Sequence, residues 1–131
     1  MSSPSGLLLD TPILAEVRGG RADPAVVAFL RSRSHLRVFV SALTVGELES
    51  EAPGWLQELS RRFAGNILPV DHEVAMLWRT LPPPDAGDTR GIHRSWLAAT
   101  AIQRDLTVVT PEPEAFEAYG AHAVSPLTKF G

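Results

Sequence analysis

Apolar residues in this chain form short continuous runs, separated by polar, glycine-rich or proline-rich segments. A continuous run of β-forming residues predicts a strand covered on both faces, as in a parallel sheet, whereas a strand with one wet face alternates. Four runs have this character, and a shorter one near the end of the chain predicts an edge strand. The predicted strands cover residues 7–9, 36–41, 67–70, 106–110 and 123–124.

Between these runs, apolar residues recur at the spacing of amphipathic helices. Asp23-Pro24 predicts a helix start, because aspartate caps free N–H groups and proline tolerates the first helical position. Gly19-Gly20 is expected to end the helix before it. Alternating strands and helices predict an α/β protein with three α/β/α layers around a central parallel sheet. The predicted helices cover residues 13–17, 24–30, 44–52, 55–63, 71–78, 92–104 and 113–119.

The length of 131 residues suits a single domain, with residues 1–5 expected to be disordered. No apolar run is long enough to span a bilayer, and the first residues lack the basic and apolar regions of a signal peptide. The absence of cysteine excludes disulfides and thiolate metal sites. Together these features predict a cytoplasmic protein.

The net charge is −3, which argues mildly against a protein that binds nucleic acid over its whole surface. Basic residues cluster locally, in residues 31–37 and again at Arg61-Arg62. Such clusters are typical of solvated helix ends and turns, but they are also compatible with a local phosphate-binding surface. A cluster of functional carboxylates would lower the net charge and leave that second possibility open.

In open parallel sheets, ligands bind beyond the carboxyl ends of the strands. This rule selects Asp10, residues 41–47, Asp71 and residues 110–112 as candidates. Asp10 either caps the helix that follows it or contributes a carboxylate to a metal site, since hard divalent cations need clustered oxygens. The position alone leaves both readings of Asp10 open.

Glu47 is the natural partner of Asp10, but Thr44 and Glu47 also have the spacing of a capping box, in which the glutamate bonds back to the helix cap. Asp71 follows a strand and precedes a helix, which is typical of a plain N-cap. His93 stands alone near a predicted helix start, and the pattern favours a structural role for it.

Three segments of the chain, by their sequence, order and separation, resemble the PIN domains of VapC-type toxins. The resemblance runs from about residue 7 to residue 126, nearly the whole chain. The segments are Leu7-Leu8-Leu9-Asp10-Thr11, then Val38-Phe39-Val40-Ser41 with Thr44-Val45-Gly46-Glu47, then Leu97-Ala98-Ala99-Thr100 with Thr107-Val108-Val109-Thr110.

This resemblance implies a PIN-like fold and a metal-dependent endoribonuclease that uses Mg²⁺ or Mn²⁺ held by carboxylates at the carboxyl edge of the sheet. Such a cation would polarise the phosphodiester and help to generate hydroxide. The family also implies RNA as substrate, a cognate antitoxin protein as partner, and a homodimer. Trp55, Leu59 and Trp78 are the apolar candidates for the dimer contact.

By position, the resemblance makes Asp10 and Glu47 the metal ligands. It makes Asp10, Glu47 and Glu112 the catalytic acids, with Glu112 at the fourth polar position of the family site. The third family acid falls on Arg94. A guanidinium prefers bidentate carboxylate contact, so Arg94 is expected to bond Asp10 or Glu47 and to weaken metal binding. Alternatively, Asp88 or Glu112 could supply the missing oxygens, or Arg94 could turn away and contact phosphate. The candidate substrate-binding residues are Thr11, Ser41, Arg94 and Thr110.

Three functions remain open. The first is a VapC-like toxin that cleaves RNA with a modified acidic site, and the second is a catalytically inactive PIN-fold protein that binds antitoxin or RNA as a partner or decoy. A receiver-like signalling domain is the third. It would need an acidic pair at the first strand, a central phospho-acceptor aspartate and a late lysine, but Lys129 is the only lysine.

Overall fold

A computed structural model describes residues 5–18, 22–51 and 53–127 of the chain. The strands in these ranges are β1 (Gly6–Leu9), β2 (Arg37–Ser41), β3 (Ile67–Leu68), β4 (Leu106–Val109) and β5 (Ala123–Val124). The helices are α1 (Thr11–Arg18), α2 (Pro24–Ser32), α3 (Ala42–Glu51), α4 (Trp55–Arg62), α5 (His72–Trp78), α6 (Thr89–Arg104) and α7 (Pro113–Glu117). The expected helix end at Gly19-Gly20 and most of the expected disordered start, residues 1–4, lie outside the described residues. Ser5 is described, and its N–H donates to the Asp105 carbonyl.

The strands form one sheet in the order β3-β2-β1-β4-β5, and every described pairing is parallel. The predicted parallel sheet is therefore confirmed. The chain adds β2 and β3 on one side of β1 and then crosses to the other side for β4 and β5. The order thus reverses between β1 and β4, which is where such sheets open a crevice for ligands.

The continuous apolar run of β1 is explained by helices on both faces of the sheet. Leu7 and Leu9 pack into one core with residues of α1 to α4, and Leu8 packs into a second core with α6 and α7. Successive side chains of a strand point to opposite faces of the sheet. Since both faces are buried here, every position of the strand is apolar. The predicted α/β/α layering is therefore confirmed.

Three helix starts lie two or three residues before the predicted ones, and the first is that of α1, which begins at Thr11 instead of residue 13. Helix α3 begins at Ala42, and the Leu43 N–H donates to Ser41 Oγ at 3.1 Å. Thr44 is thus already inside the helix, and a Thr44–Glu47 capping box is wrong. Helix α6 begins at Thr89, three residues before the predicted start, because Asp88 caps it by accepting from the Gly91 N–H at 2.9 Å.

The caps at Asp23 and Asp71 are confirmed. Each side chain accepts a backbone N–H of the following helix, at 2.8 Å from Ala25 and 3.0 Å from Val74. The proposed dimer role of Leu59 is wrong, since its side chain is 1% exposed and belongs to the core. Within the described residues, no helix is both long and apolar enough to cross a membrane.

Candidate functional site

A cavity of about 520 Å³ opens where the end of β1 meets helices α1, α3 and α6. Both carboxylates that the sequence analysis singled out, Asp10 and Glu47, line it, as do Thr11 and Arg94. It lies at the carboxyl edge of the sheet and beside the reversal of strand order, where ligands bind in open parallel sheets. The remaining lining residues are Pro12, Ala15, Leu48, Glu51, Thr89, Arg90 and His93.

Asp10 sits between β1 and α1, and its carboxylate is held on both oxygens. The Thr11 N–H donates to Oδ1 at 2.9 Å, and the Thr110 hydroxyl donates to Oδ2 at 2.9 Å. Burial raises the pKa of Asp10 above its ordinary value, although the two hydrogen bonds and the charges of His93 and Arg94 act in the opposite direction. Asp10 therefore both caps α1 and faces the cavity, so the two readings of this position coexist.

Glu47 contacts His93 across the cavity, with Oε2 at 3.4 Å from Nδ1. The other ring nitrogen, Nε2, lies 3.3 Å from Thr11 Oγ1, and Thr11 Oγ1 donates to Thr44 Oγ1 at 3.2 Å. A carboxylate, an imidazole and two hydroxyls thus form one connected chain that spans α3, α6 and α1. His93 belongs to the site, although its isolated place in the sequence favoured a structural role.

Arg94 pairs with Glu112, whose carboxylate accepts from Nη2. The expectation that Arg94 would bond Asp10 or Glu47 is therefore wrong. The reason is geometric: Glu112 stands in the loop after β4, where the Thr110 hydroxyl oxygen accepts its backbone N–H at 3.1 Å. Arg94 still influences Asp10 through its charge, which lowers the pKa of that carboxyl.

Three of the predicted site residues lie behind or beside the cavity. Ser41 and Thr110 are fully buried, and their hydroxyls are used to cap α3 and to hold Asp10. Because neither side chain reaches the cavity, we assign both to support of the site instead of substrate contact. Glu112 is outside the cavity lining and is connected to it by its carboxylate through Arg94 and by its backbone N–H through Thr110.

Comparison with known proteins identifies the family. The chain is 30% identical to the toxin FitB of Neisseria gonorrhoeae, and the match covers 92% of this chain and 97% of FitB. The chain belongs to the VapC family of PIN-domain toxins. It is also 26% identical to VapC ribonuclease Y4jK of Sinorhizobium fredii, with 92% of this chain and 96% of that protein covered.

A solved VapC-family structure has the same fold. The crystal structure of FitAcB from Neisseria gonorrhoeae superposes with a TM-score of 0.68 at 31% sequence identity, covering 92% of this chain and 97% of that one. No family model matches the sequence. The fold and the toxin family predicted from the three motifs are confirmed by these matches.

VapC ribonucleases generally depend on a metal, so the site must be tested for one. The described residues contain no group of three histidine, cysteine, aspartate or glutamate side chains that could hold a metal ion. The carboxylates nearby are engaged: Asp10 by Thr11 and Thr110, Glu47 by His93, and Glu112 by Arg94. The residues as they stand do not fit a tight divalent-cation site.

Asp88 does not supply the missing carboxylate ligand, because its side chain caps α6 and is not part of the cavity lining. Of the two acids that could have completed the site, Glu112 is bound to Arg94 and Asp88 is bound to the helix backbone. The ionisable groups that line the cavity are three carboxylates, an imidazole and two guanidiniums.

Proposed function

We propose that this VapC-like toxin acts on RNA in the Asp10–Glu47 cavity, as an endoribonuclease whose acidic site is modified. The observation that carries the proposal is that both carboxylates line one cavity at the carboxyl edge of the sheet. The similarity to a protein named VapC ribonuclease supports RNA as the substrate. A cognate antitoxin protein is the expected partner, as the family resemblance implies.

Within this proposal, Asp10 and Glu47 are the catalytic acids, and Thr11 and Arg94 contact the substrate, because all four line the cavity. Glu112 acts through Arg94, which it holds. Of the divalent cations, Mg²⁺ or Mn²⁺ is expected at Asp10 and Glu47, since hard cations prefer carboxylate oxygens. We expect the binding to be weak, because existing hydrogen bonds must be given up to form it.

The test is a cleavage assay on single-stranded RNA with the native chain, Asp10→Asn and Glu47→Gln. The native chain is expected to cut RNA, and each substitution to lower the rate by on the order of a hundredfold or more, as the loss of an acid–base group does. Glu117→Gln serves as the control, because Glu117 is an exposed residue at the end of α7. Equal rates for the native chain and both cavity variants would exclude this cavity as the catalytic site.

A second function is favoured by the Arg94–Glu112 ion pair, which removes two of the four family acid positions from any metal site. The chain would then be a catalytically inactive member that binds antitoxin or RNA as a partner or decoy. The same assay separates the two: binding of RNA by the native chain without cleavage, at any Mn²⁺ concentration, supports the inactive binding protein.

A further inference from the structure

The charges that line the cavity come close to balance. The lining contains three carboxylates, Asp10, Glu47 and Glu51, and two guanidiniums, Arg90 and Arg94, so its net charge is −1 with His93 neutral. Arg90, His93 and Arg94 are spaced on α6 so that they share one face of the helix. One helix therefore brings all the basic side chains of the lining.

Replacing Arg94 by aspartate would lower this lining charge by two, from −1 to −3. One divalent cation would restore −1. A single arginine thus carries the same charge as a carboxylate together with its bound divalent cation. This difference of two does not depend on which neighbouring groups are counted, because only residue 94 changes.

The geometry of Arg94 suits this role. Its side chain is 20% exposed, it lines the cavity, and Glu112 holds the guanidinium through Nη2 from outside the lining. A guanidinium has five donors in a planar fork, so a carboxylate on one nitrogen leaves other donors for a second anion. The fork also matches the oxygens of a phosphate, which it can bind in a bidentate manner.

We propose that Arg94 takes the place of a divalent cation in this cavity, so that an RNA phosphate binds directly to its guanidinium and needs no metal. The proposal rests on RNA being the ligand of the cavity, as proposed above. A metal in such a cleft neutralises carboxylates and contacts the phosphate. Here Arg94 supplies the positive charge and the phosphate contact, and His93 supplies the contact to Glu47.

The test measures initial RNA binding by stopped-flow fluorescence anisotropy, with either EDTA or Mn²⁺ present, and gel samples taken at the same times check that the RNA is not yet cut. The native chain is expected to bind equally well in both conditions. Arg94→Asp is expected to lose at least about tenfold in affinity in EDTA, as the loss of a charged phosphate contact does, and to regain it with Mn²⁺.

Arg31→Asp is the matched control, because it changes the net charge equally. Arg31 is exposed in the last turn of α2, which precedes β2 and so ends at the opposite edge of the sheet from the cavity. This variant should bind RNA equally well with EDTA and with Mn²⁺. Calorimetric titration with Mn²⁺ alone adds a readout without RNA: Arg94→Asp should bind the ion at least about tenfold more tightly than the native chain.

The outcomes separate this inference from the proposed function. Native binding of RNA that requires Mn²⁺ overturns the inference and leaves RNA as the ligand. Equal Mn²⁺ affinity of the native chain and Arg94→Asp also overturns it. If the native chain binds no RNA in either condition, the proposed function fails and the inference fails with it.

Discussion

Burial and hydrogen bonding have opposite effects on the charged form of Asp10. This residue is 5% exposed, and burial penalises its charge, yet two hydrogen bonds stabilise the same charge. Burial prevails, because the pKa of Asp10 lies above its ordinary value. A carboxylate that is kept at a cost to stability is typical of a functional group, since strain and unfavourable burial concentrate at such sites.

Asp10→Asn should therefore raise the free energy of unfolding by about 1 kcal/mol at neutral pH, while lowering RNA cleavage. A raised folded pKa means that the stabilising form is the protonated one. The stability contributed by protonated Asp10 is fully present below the ordinary pKa of 3.8 and is lost as the pH rises through the folded pKa. Urea unfolding across this pH range is the measurement, and the advantage of the variant should shrink as the pH falls.

A variant less stable than the native chain at neutral pH would contradict this account. It would mean that the hydrogen bonds from Thr11 and Thr110 contribute more than the burial of the charge removes. Asp85→Asn is the control, because Asp85 is exposed in the loop before α6.

The partners within the site could be predicted from the sequence only in part. The motifs placed Asp10 and Glu47 together because both follow the carboxyl ends of neighbouring strands. The partner of Arg94 could not be predicted, since Glu112 lies in the loop after β4 and no local pattern fixes where that loop places its carboxylate. His93 was missed for the same reason, because its partner Glu47 comes from another helix.

At the scale of the elements, local chemistry predicted most boundaries. Continuous apolar runs predicted the strands because the sheet is covered on both faces, and Asp23 and Asp71 predicted two helix starts. The start of α6 was missed because its cap, Asp88, lies in a segment rich in proline and glycine, with no apolar periodicity around it. A lone cap without an amphipathic pattern is a weak signal.

Asp88→Ala should lower the free energy of unfolding by about 1 kcal/mol, which is the usual cost of removing an N-cap aspartate. The Gly91 N–H that now donates to Asp88 would lose its partner. Chemical denaturation measures the change, and Asp88→Asn is the matched control because an asparagine oxygen can still accept the bond. Equal losses for the two variants would show that the cap is not the cause.

Gly6→Ala tests the close approach of β1 and β2. An added Cβ would lie 2.8 Å from the Arg37 carbonyl oxygen, and that atom belongs to the backbone of β2, so it cannot rotate away. We expect a loss of about 2 kcal/mol in the free energy of unfolding, as for other overpacked cores. Gly46→Ala is the control, since nothing lies within 4 Å of an added Cβ there. A smaller loss at Gly6 than at Gly46 would refute the crowding argument.

For the whole molecule, the strand order explains why the cavity could be located before the structure was known. Every described strand belongs to one sheet, and both cores use it, so we propose that the whole chain is a single domain. The reversal beside β1 places the cavity at the crevice that the order of the described strands leaves open. The net charge of −3 describes the whole chain and does not reveal the cavity, where arginines nearly balance carboxylates.

Assembly is the remaining prediction at this scale, and a homodimer is expected from the family resemblance. Of the apolar candidates, Leu59 is excluded by burial, Trp78 stacks on Trp96 of its own chain at 4.2 Å, and the side chain of Trp55 lies outside what the structure describes. The large apolar side chains that stay exposed on the paired helices α5 and α6 are Met76 at 46% and Ile92 at 42%. If the dimer interface buries these two side chains, replacing either one by a charged residue should weaken the dimer, because a charge is costly to bury and the apolar contact is lost.

Met76→Glu and Ile92→Glu should each shift the native dimer toward monomer by about tenfold or more in dissociation constant, measured by sedimentation equilibrium. Leu127→Glu is the matched control, because Leu127 is 43% exposed and lies after β5, away from α5 and α6 in the chain. It should leave the dimer intact. If the native chain sediments as a monomer at every concentration, the homodimer prediction is wrong. If Leu127→Glu weakens the dimer as much as the other two variants, the interface does not lie on α5 and α6.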